Sequence, residues 1–514
     1  MDQGIANLQA LVNDVQNWAP DLANPIVLVS GFSGWGEPLF GTINYWGGFE
    51  NIPAALQNAG YTVIVVRIGP LSSNWERACE VYRQISSGAF DGPNTYPPTA
   101  IGIDYGPYYP AMYGYARNGQ TKQAVLFGNL PPAWTWTAAN PVHFICHSQG
   151  GNTIRKLIEL MSGAHNVLHP GYFPVGDRRN WITSVTTLGT PHKGTTITDV
   201  ITPLLPPNPI DMINVITRLV VSASFRQPRF YDLQLDHWGF ARQQTPAGVS
   251  ETFNAMCIRI NPRIAIWWGG TGAQPPHNGF YDNSIAGVTQ LNIFAPNPAP
   301  TIFFFTISFD ATVSFPQIDP GPQDSATFPV NPFFTPLQML LNPGGWPFTG
   351  IAWVYQRIRF SPSSTDYARW FVNSLNNHLG PLGYFNRIPL PGSRVPRTDM
   401  LPIIMLPALA MGGYYIPGAA GPQSEAFQHN DGVVNTPSMR GPNDAQVREI
   451  SQFPRNLPTP AAALGAAGPV RYWHFGINET MDHADQIGVF TDPATYNNVE
   501  NMYLLLANLV TRLI

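Results

Sequence analysis

A serine at position 148 has neighbours that could make it a nucleophile. The apolar residues 142–146 lead directly into His-Ser-Gln-Gly-Gly, and apolar residues at helical spacing follow. A strand that turns sharply into a helix needs small residues around the turn, and the turn raises the serine hydroxyl above the sheet at the positively polarised helix N-terminus. The pattern therefore predicts a nucleophile elbow in which Ser148 is the attacking group.

A serine nucleophile needs a histidine as general base, and that histidine needs a carboxylate to orient it. In folds with a nucleophile elbow the chain order is serine, acid, histidine. Asp431, in the segment His-Asn-Asp-Gly-Val-Val-Asn, is the predicted acid, and His483, in a polar loop after an apolar strand, is the predicted base. His474 lies inside that strand and is interpreted as a structural residue. Asp482 competes with Asp431 as the acid, although a side chain adjacent in sequence rarely reaches the next imidazole.

The tetrahedral oxyanion formed by such a nucleophile needs hydrogen-bond donors. One is expected from the backbone N–H of Gln149, the residue after the nucleophile, and another from a loop after an early strand. The sequence Val-Leu-Val-Ser-Gly-Phe-Ser-Gly-Trp at 27–35 has this form, because an apolar strand precedes a glycine-rich turn. The N–H of Phe32 is therefore the predicted second donor, and the Phe32 ring is expected to form a wall of the acyl pocket.

These residues have to be positioned by a sheet with helices between its strands. Apolar runs suited to buried parallel strands recur along the 514-residue chain, and segments with helical periodicity lie between several of them. This alternation predicts an α/β fold with a mostly parallel central sheet flanked by helices. The predicted strands lie at residues 25–29, 61–68, 142–146, 182–188, 301–309 and 472–477.

Composition excludes several classes of protein. Lysine and arginine number 27 against 31 acidic residues, so nucleic acid is not an expected partner. Hydrophobic residues make up 44% of the chain, which excludes a disordered protein. The uncharged residues 400–422 are interrupted by proline and glycine, so we expect a buried irregular segment there and no transmembrane segment in the chain. The N-terminal sequence lacks the regions of a signal peptide, which fits a processed form or a protein that is not secreted.

Eight stretches of the sequence together resemble the thermoalkalophilic bacterial lipases and their staphylococcal relatives. The resemblance implies an α/β-hydrolase fold, an extracellular location and hydrolysis of acylglycerol esters. It also implies a triad of Ser148, Asp431 and His483, with Phe32 and Gln149 in the oxyanion hole, in agreement with the argument from the residues alone. The stretches lie at residues 30–36, 45–48, 69–80, 147–151, 184–196, 231–239, 430–439 and 482–489.

Two segments differ in character from the rest of this predicted single catalytic domain, residues 1–514. Residues 196–225 correspond to the mobile helical lid of the family, and their broad apolar surface is expected to open at a lipid–water interface. An ordinary core helix is the alternative interpretation of this segment. Residues 257–400 form an insertion that is larger than in the relatives and rich in proline and aromatic residues.

The resemblance raises the question of a structural zinc ion, which relatives bind through two aspartates and two histidines. At the corresponding positions this sequence has Glu76, Asp236, Tyr109 and Tyr115. Zinc favours imidazole, and phenols are poor ligands near neutral pH. We therefore expect no zinc, with Glu76 and Asp236 as remnants of the site.

The resemblance also implies a structural calcium site near the predicted base. Its ligands would be the carboxylates of Asp485 and Asp492, the carbonyl of Pro493 and a carbonyl near Asp399. Calcium accepts such a mixture of carboxylate and carbonyl oxygens. A calcium ion there would hold the loop of His483 in place and take no part in the chemistry. No organic cofactor is expected.

The predicted function is that of a triacylglycerol lipase that works through an acyl-enzyme, with acylglycerols or other esters as substrates. An esterase or polyester hydrolase with the same triad is one alternative, because the sequence does not determine the shape of the acyl pocket. A catalytically silent binding protein with the hydrolase fold is an alternative of another class. The intact order of Ser148, Asp431 and His483 argues against it.

Overall fold

A computed structural model describes most of the chain outside the predicted insertion at 257–400. The predicted zinc positions Tyr109 and Tyr115, and residues 315–393 of the insertion, lie outside the described residues. The described residues are 2–95, 99–106, 118–163, 169, 171–174, 176–202, 205–226, 229, 231–244, 248–272, 274–294, 299–314, 394–397, 399–468 and 472–514.

Twelve strands form a central sheet and two small antiparallel pairs within the described part of the chain. The central sheet has the order β11-β12-β8-β7-β6-β1-β2-β5, and only β5 runs antiparallel to its neighbour. All six predicted strands are present in it. The strands are β1 Ile26–Val29, β2 Val63–Val65, β3 Ala100–Asp104, β4 Asn118–Lys122, β5 Val125–Phe127, β6 Val142–His147, β7 Ile182–Leu188, β8 Phe303–Phe309, β9 Thr312–Ser314, β10 Arg394–Pro396, β11 Val447–Glu449 and β12 Tyr472–Asn478.

Helices follow most of the parallel strands and cover both faces of the sheet. The α-helices of the described residues are α1 Gln3–Asp14, α2 Ile52–Asn58, α3 Asn74–Ser86, α4 Gln149–Met161, α5 Ile197–Ile201, α6 Pro209–Ser224, α7 Phe253–Gly269, α8 Gly279–Asn283, α9 Ile285–Phe294, α10 Pro402–Gly413, α11 Pro460–Ala467 and α12 Pro493–Val510.

The core consists of two apolar layers, one on each face of the sheet. Along β1, Val27 and Val29 belong to one layer, and Ile26 and Leu28 belong to the other. Helices α3 and α4 pack into the first layer, and α1 and α12 pack into the second. Burial on both faces explains why these strands are continuous apolar runs in the sequence.

The uncharged segment 400–422 contains a helix, so the prediction of an irregular segment was wrong for α10. Pro402 occupies the first turn, where its missing N–H has no helical partner in any case, and Met405 and Ala408 are buried. In the described residues no helix is both long enough and apolar enough to cross a membrane.

The predicted lid contains two helices, α5 and α6. Helix α6 packs on α7, and the Asn261 side chain of α7 donates a 3.0 Å hydrogen bond to Thr217 of α6. One face of α6 is buried, while Ile210 and Leu219 are 71% and 60% exposed. Helix α6 thus carries exposed apolar side chains as well as a packed face.

Candidate active site

Ser148 occupies a sharp turn between β6 and α4. Its φ of 54° and ψ of −129° place a non-glycine residue in a conformation that is rarely adopted and that clusters at functional sites. The Ser148 N–H donates to the Leu188 carbonyl of β7 at 2.8 Å, which holds the strained turn to the sheet. A Cβ at Gly150 would lie 2.4 Å from the Val29 carbonyl oxygen, so the helix can start this close to β1 only with glycine there.

The predicted base and acid are bonded to each other. Nδ1 of His483 lies 2.7 Å from Oδ2 of Asp431, and the His483 N–H donates to the Asp431 carbonyl at 2.9 Å. Asp431 is fully buried, and Oδ1 accepts the amides of Val433 and Val434 at 3.0 and 2.8 Å. Nε2 of Gln486 donates to Oδ2 at 2.7 Å. The carboxylate is therefore held in one orientation by its surroundings.

Asp482, the competing acid, has other partners. Its Oδ1 accepts the N–H groups of Ala484 and Asp485, and its Oδ2 accepts the N–H of Leu401. Burial raises the pKa of Asp482, and the charge on Asp431 raises it further. The structure thus pairs His483 with Asp431, while Asp482 organises the loop.

The base lies beside the nucleophile turn. The ring centroid of His483 is 4.5 Å from that of His147, the residue before Ser148. No hydrogen bond between the Ser148 hydroxyl and His483 is formed within these described loops. Catalytic hydrogen bonds are often long in proteins without substrate and tighten in the reacting complex.

The two predicted oxyanion donors are the amides of Phe32 and Gln149. Across the described residues, neither N–H has an acceptor, and Gln149 is the first residue of α4, where helical amides are unpaired. A Cβ at Gly31 would lie 2.6 Å from Cβ of Ser148, so the two turns touch. The neighbouring amides of the loop are all occupied: Gly31 donates to Tyr45 Oη at 2.8 Å, Ser33 to the Pro70 carbonyl at 2.8 Å and Gly34 to the Gly31 carbonyl at 3.2 Å.

Sequence reasoning missed the residues that support the site. The Tyr45 hydroxyl accepts the Gly31 N–H and is also hydrogen-bonded to Nδ1 of His147, 2.7 Å away. Burial, reinforced by the nearby His483, keeps the pKa of His147 well below its ordinary value and the ring neutral. Tyr45 lies in a stretch shared with the family, and Gln486 stands three residues after the base, but nothing in either pattern shows these contacts.

The remnants of the zinc site are engaged in other contacts. Glu76 is fully buried. Its Oε1 lies 2.6 Å from His237 Nε2 and accepts the Trp238 indole N–H at 2.7 Å. Its Oε2 accepts the Ser73 N–H at 2.8 Å. Although burial alone would raise it, these bonds, led by His237, hold the pKa of Glu76 below its ordinary value. Asp236 is paired with Arg229. These two carboxylates do not fit a zinc site.

The predicted calcium ligands are only partly suited to a cation. Burial and the nearby carboxylate of Asp482 raise the pKa of Asp485 to about 7, although the charge of Arg397 acts in the opposite direction. Asp492, in contrast, caps α12 by accepting the amides of Ala494 and Thr495. Asp399 is mostly exposed and bonded to Arg397. In the described residues no three or more ligating side chains are grouped so that they could hold a metal ion, and calcium stays a prediction.

A mostly parallel sheet with a strained serine between a strand and a helix defines the α/β-hydrolase class, as expected. The chain belongs to the family described as "Lipase-like, C-terminal domain", whose sequence model matches residues 22–328. The predicted resemblance to lipases is therefore confirmed.

Two curated relatives are staphylococcal. The chain is 32% identical to the lipase of Staphylococcus hyicus over 291 residues, which is 53% of this chain and 38% of the relative. It is 31% identical to lipase 1 of Staphylococcus aureus (strain MRSA252) over 301 residues, 56% of this chain and 38% of the relative. The match thus spans about two fifths of the length of these relatives.

Solved structures match over nearly the whole chain. The S. hyicus lipase has a TM-score of 0.59 at 21% identity, over 96% of this chain and 97% of that one. Lipase 1 from Pelosinus fermentans has a TM-score of 0.57 at 24% identity, over 96% and 100%. EstA from Clostridium botulinum has a TM-score of 0.57 at 21% identity, over 99% and 98%. These similarities establish the fold.

Proposed function

We propose that this protein is a serine carboxylester hydrolase whose principal substrates are acylglycerols. The observation that carries the proposal is the bonded pair of Asp431 and His483 beside the strained turn of Ser148. Non-glycine residues held in a rare backbone conformation cluster at functional sites, and the strained turn at Ser148 presents a hydroxyl next to the Asp431–His483 pair. The names of the staphylococcal relatives, all lipases, support the choice of ester substrates.

The proposed reaction is acyl transfer to Ser148. Nε2 of His483 takes the hydroxyl proton as Oγ attacks the ester carbonyl, and Asp431 stabilises the imidazolium that forms. The negative charge moves to the carbonyl oxygen, which accepts the amides of Phe32 and Gln149. The C–O bond of the ester then breaks and His483 gives its proton to the leaving alcohol. Water attacks the acyl-enzyme by the same route and releases the acid.

The exposed face of α6 supports action at a lipid–water interface. Exposing Ile210 and Leu219 to water is unfavourable, and contact with an apolar phase would remove that cost. We propose that residues 196–225 act as a lid, that the protein works outside the cell, and that calcium near Asp485 stabilises the loop of the base. None of the catalytic steps passes through calcium or needs zinc.

The test is hydrolysis of p-nitrophenyl esters and triacylglycerols of increasing chain length by the wild type and by Ser148→Ala. We expect hydrolysis by the wild type, a preference for acylglycerols above their solubility limit, and no activity of the variant at unchanged melting temperature. Activity that survives in Ser148→Ala would refute the nucleophile. Failure of a fluorophosphonate probe to label the wild type would favour a silent binding protein, and a preference for polyester films would favour a polyester hydrolase.

A further inference from the structure

The side chain of Arg77 lies directly behind the loop that carries Phe32. Arg77 belongs to α3 and is fully buried. Its guanidinium binds backbone carbonyls and one hydroxyl: Nη1 donates to Gly31 at 3.1 Å and to Gly69 at 2.9 Å, Nη2 donates to Ser30, and Nε donates to Thr153 Oγ1 at 2.9 Å. Two of these carbonyls belong to the residues immediately before Phe32.

The guanidinium has no carboxylate in contact among the described residues. Burial lowers the pKa of Arg77, and among the nearby carboxylates Glu80 raises it most. Burial also raises the pKa of Glu80 itself to about 7. Burial lowers the pKa of Arg77 to about 10, so the side chain is still a cation near neutral pH. A buried positive charge is thus directed at the carbonyl side of the oxyanion loop.

The peptide between Gly31 and Phe32 connects this cation to the reaction. In a planar trans peptide the C=O and the N–H point in opposite directions. Because Arg77 holds the Gly31 oxygen, the Phe32 N–H points away from Arg77, and it has no acceptor in the described residues. Gly31 itself touches Ser148, so the exposed amide faces the region in which an oxyanion would form.

We infer that Arg77 is a positioning residue for the oxyanion hole: it sets the plane of the Gly31–Phe32 peptide and polarises it, so that the Phe32 amide is a fixed and strengthened donor. The inference rests on the proposed function. A donor that is oriented before the reaction stabilises charge without the cost of reorganisation. The Tyr45 bond to the Gly31 amide fixes the preceding peptide. The carbonyl of the peptide that donates accepts the Gly34 N–H at 3.2 Å, and Arg77 is the charged group that binds it.

The experiment compares Arg77→Met and Arg77→Lys with wild type. We expect kcat for a short p-nitrophenyl ester to fall about 10- to 100-fold in Arg77→Met with little change in KM, because an oxyanion donor acts mainly in the transition state. The inhibition constant of an alkylboronic acid, which forms a tetrahedral adduct on Ser148, should rise by a similar factor. Arg77→Lys keeps the charge but cannot reach all three carbonyls, so a smaller loss is expected. If Arg77→Met does not fold, Arg77→Lys decides the question by the same two measurements.

The matched control is Arg67→Met, which removes another buried guanidinium that binds neither the Ser30 nor the Gly31 carbonyl. Arg67 binds Asp91 at 2.9 Å and the Gly36 carbonyl at 3.2 Å. We expect it to lower the melting temperature while kcat and boronate affinity per folded molecule stay near wild type. Arg77 variants that lose only stability, as this control does, would overturn the inference alone. A wild type without Ser148-dependent hydrolysis would overturn the proposed function and the inference with it.

Discussion

Among the described residues, two carboxylate–histidine pairs of nearly the same length have both partners buried. His483 and Asp431 are 2.7 Å apart at the carboxyl edge of the sheet, and His237 and Glu76 are 2.6 Å apart at the start of α3. Both carboxylates are fully buried and both accept further hydrogen bonds. By the distance between the partners alone, either pair could orient a general base.

The far side of each imidazole distinguishes the two pairs. His237 is stacked on Tyr105 at a centroid distance of 4.2 Å, and only 3% of its side chain is exposed. His483 lies beside the turn of Ser148 with 11% exposed. A histidine can move protons only where a reacting group reaches its second nitrogen. Whether a histidine–carboxylate pair supports the fold or can take part in catalysis therefore depends on what the imidazole ring faces.

The largest expected effect separates the two pairs by activity. Asp431→Asn and His483→Ala should each lower kcat by about 10⁴-fold or more, because the base is lost or held in the wrong tautomer. His237→Gln should leave kcat per folded molecule close to wild type. Initial rates on a p-nitrophenyl ester check this. The control is Asp482→Asn: if it lost as much activity as Asp431→Asn, the assignment of the acid would be wrong.

Stability measurements should reveal the role of the second pair: substitution of Glu76 is expected to lower the free energy of unfolding. Glu76→Gln weakens the buried hydrogen bonds to His237 and Trp238, and the free energy of unfolding is expected to fall by about 1–3 kcal/mol. Urea denaturation followed by circular dichroism measures this. The control is Asp444→Asn, which removes a 69% exposed partner of Lys193 and should cost at most about 1 kcal/mol. Equal losses in the two variants would contradict the structural role of the Glu76 pair.

A smaller effect on activity is expected at the residue that supports Asp431. Gln486→Leu removes the 2.7 Å bond from the amide to Asp431 Oδ2, so the carboxylate is held less firmly against His483. We expect kcat to fall about tenfold, the value of one such hydrogen bond to a charged group. Steady-state kinetics at saturating substrate measure it. An unchanged kcat would mean that the backbone amides are sufficient to orient Asp431.

The smallest effect is expected in the pH dependence of the melting temperature, through Asp485 in the loop after the base. Because the folded pKa of Asp485, about 7, lies above its unfolded value near 4, the contribution of this group to stability is present below about pH 4 and is lost as the pH rises to 7. Asp485→Asn should therefore melt roughly 2–4 °C above wild type at alkaline pH. Thermal melts of both proteins between about pH 5 and 8 test this. If the melting temperatures of wild type and Asp485→Asn depended on pH in the same way, the prediction would be wrong.

Added calcium provides a second test of the role of Asp485. A calcium ion near Asp485 would neutralise the carboxylates, so added calcium should raise the melting temperature of the wild type at alkaline pH and not that of Asp485→Asn. Wild type that melts at the same temperature after chelation would count against calcium. Metal analysis of the purified protein should find no stoichiometric zinc, because Glu76 is committed to His237 and Trp238.

The local part of the site could be predicted from the sequence because its signals are local. An apolar strand, a serine between small residues and a helical repeat lie within twenty residues of one another around Ser148. The loops of Phe32 and His483 each follow an apolar run in the same way, whereas Asp431 follows a polar segment and was predicted from the chain order of the triad. Strands buried on both faces have to be apolar throughout, so six of the eight strands of the central sheet were predicted, while their order in the sheet was not.

The long-range part could not be predicted from the sequence. Asp482 and Asp431 were both candidates for the acid, and the choice depended on the backbone amides that surround each carboxylate. Asp492 was predicted as a calcium ligand, yet its carboxylate caps a helix. The role of Arg77 could not be predicted, because the residue lies 46 positions from Gly31 in the sequence and no local pattern indicates which carbonyls it binds.

The sequence by itself determined which strands are buried, where the nucleophile turn lies and which residue types can do acyl-transfer chemistry, since periodicity and steric demands depend on near neighbours. The tertiary structure decided which carboxylate meets which histidine, which imidazole faces the serine and which amides are free to donate. Those choices depend on hydrogen-bond directions and burial, which arise only when segments far apart in the chain pack together.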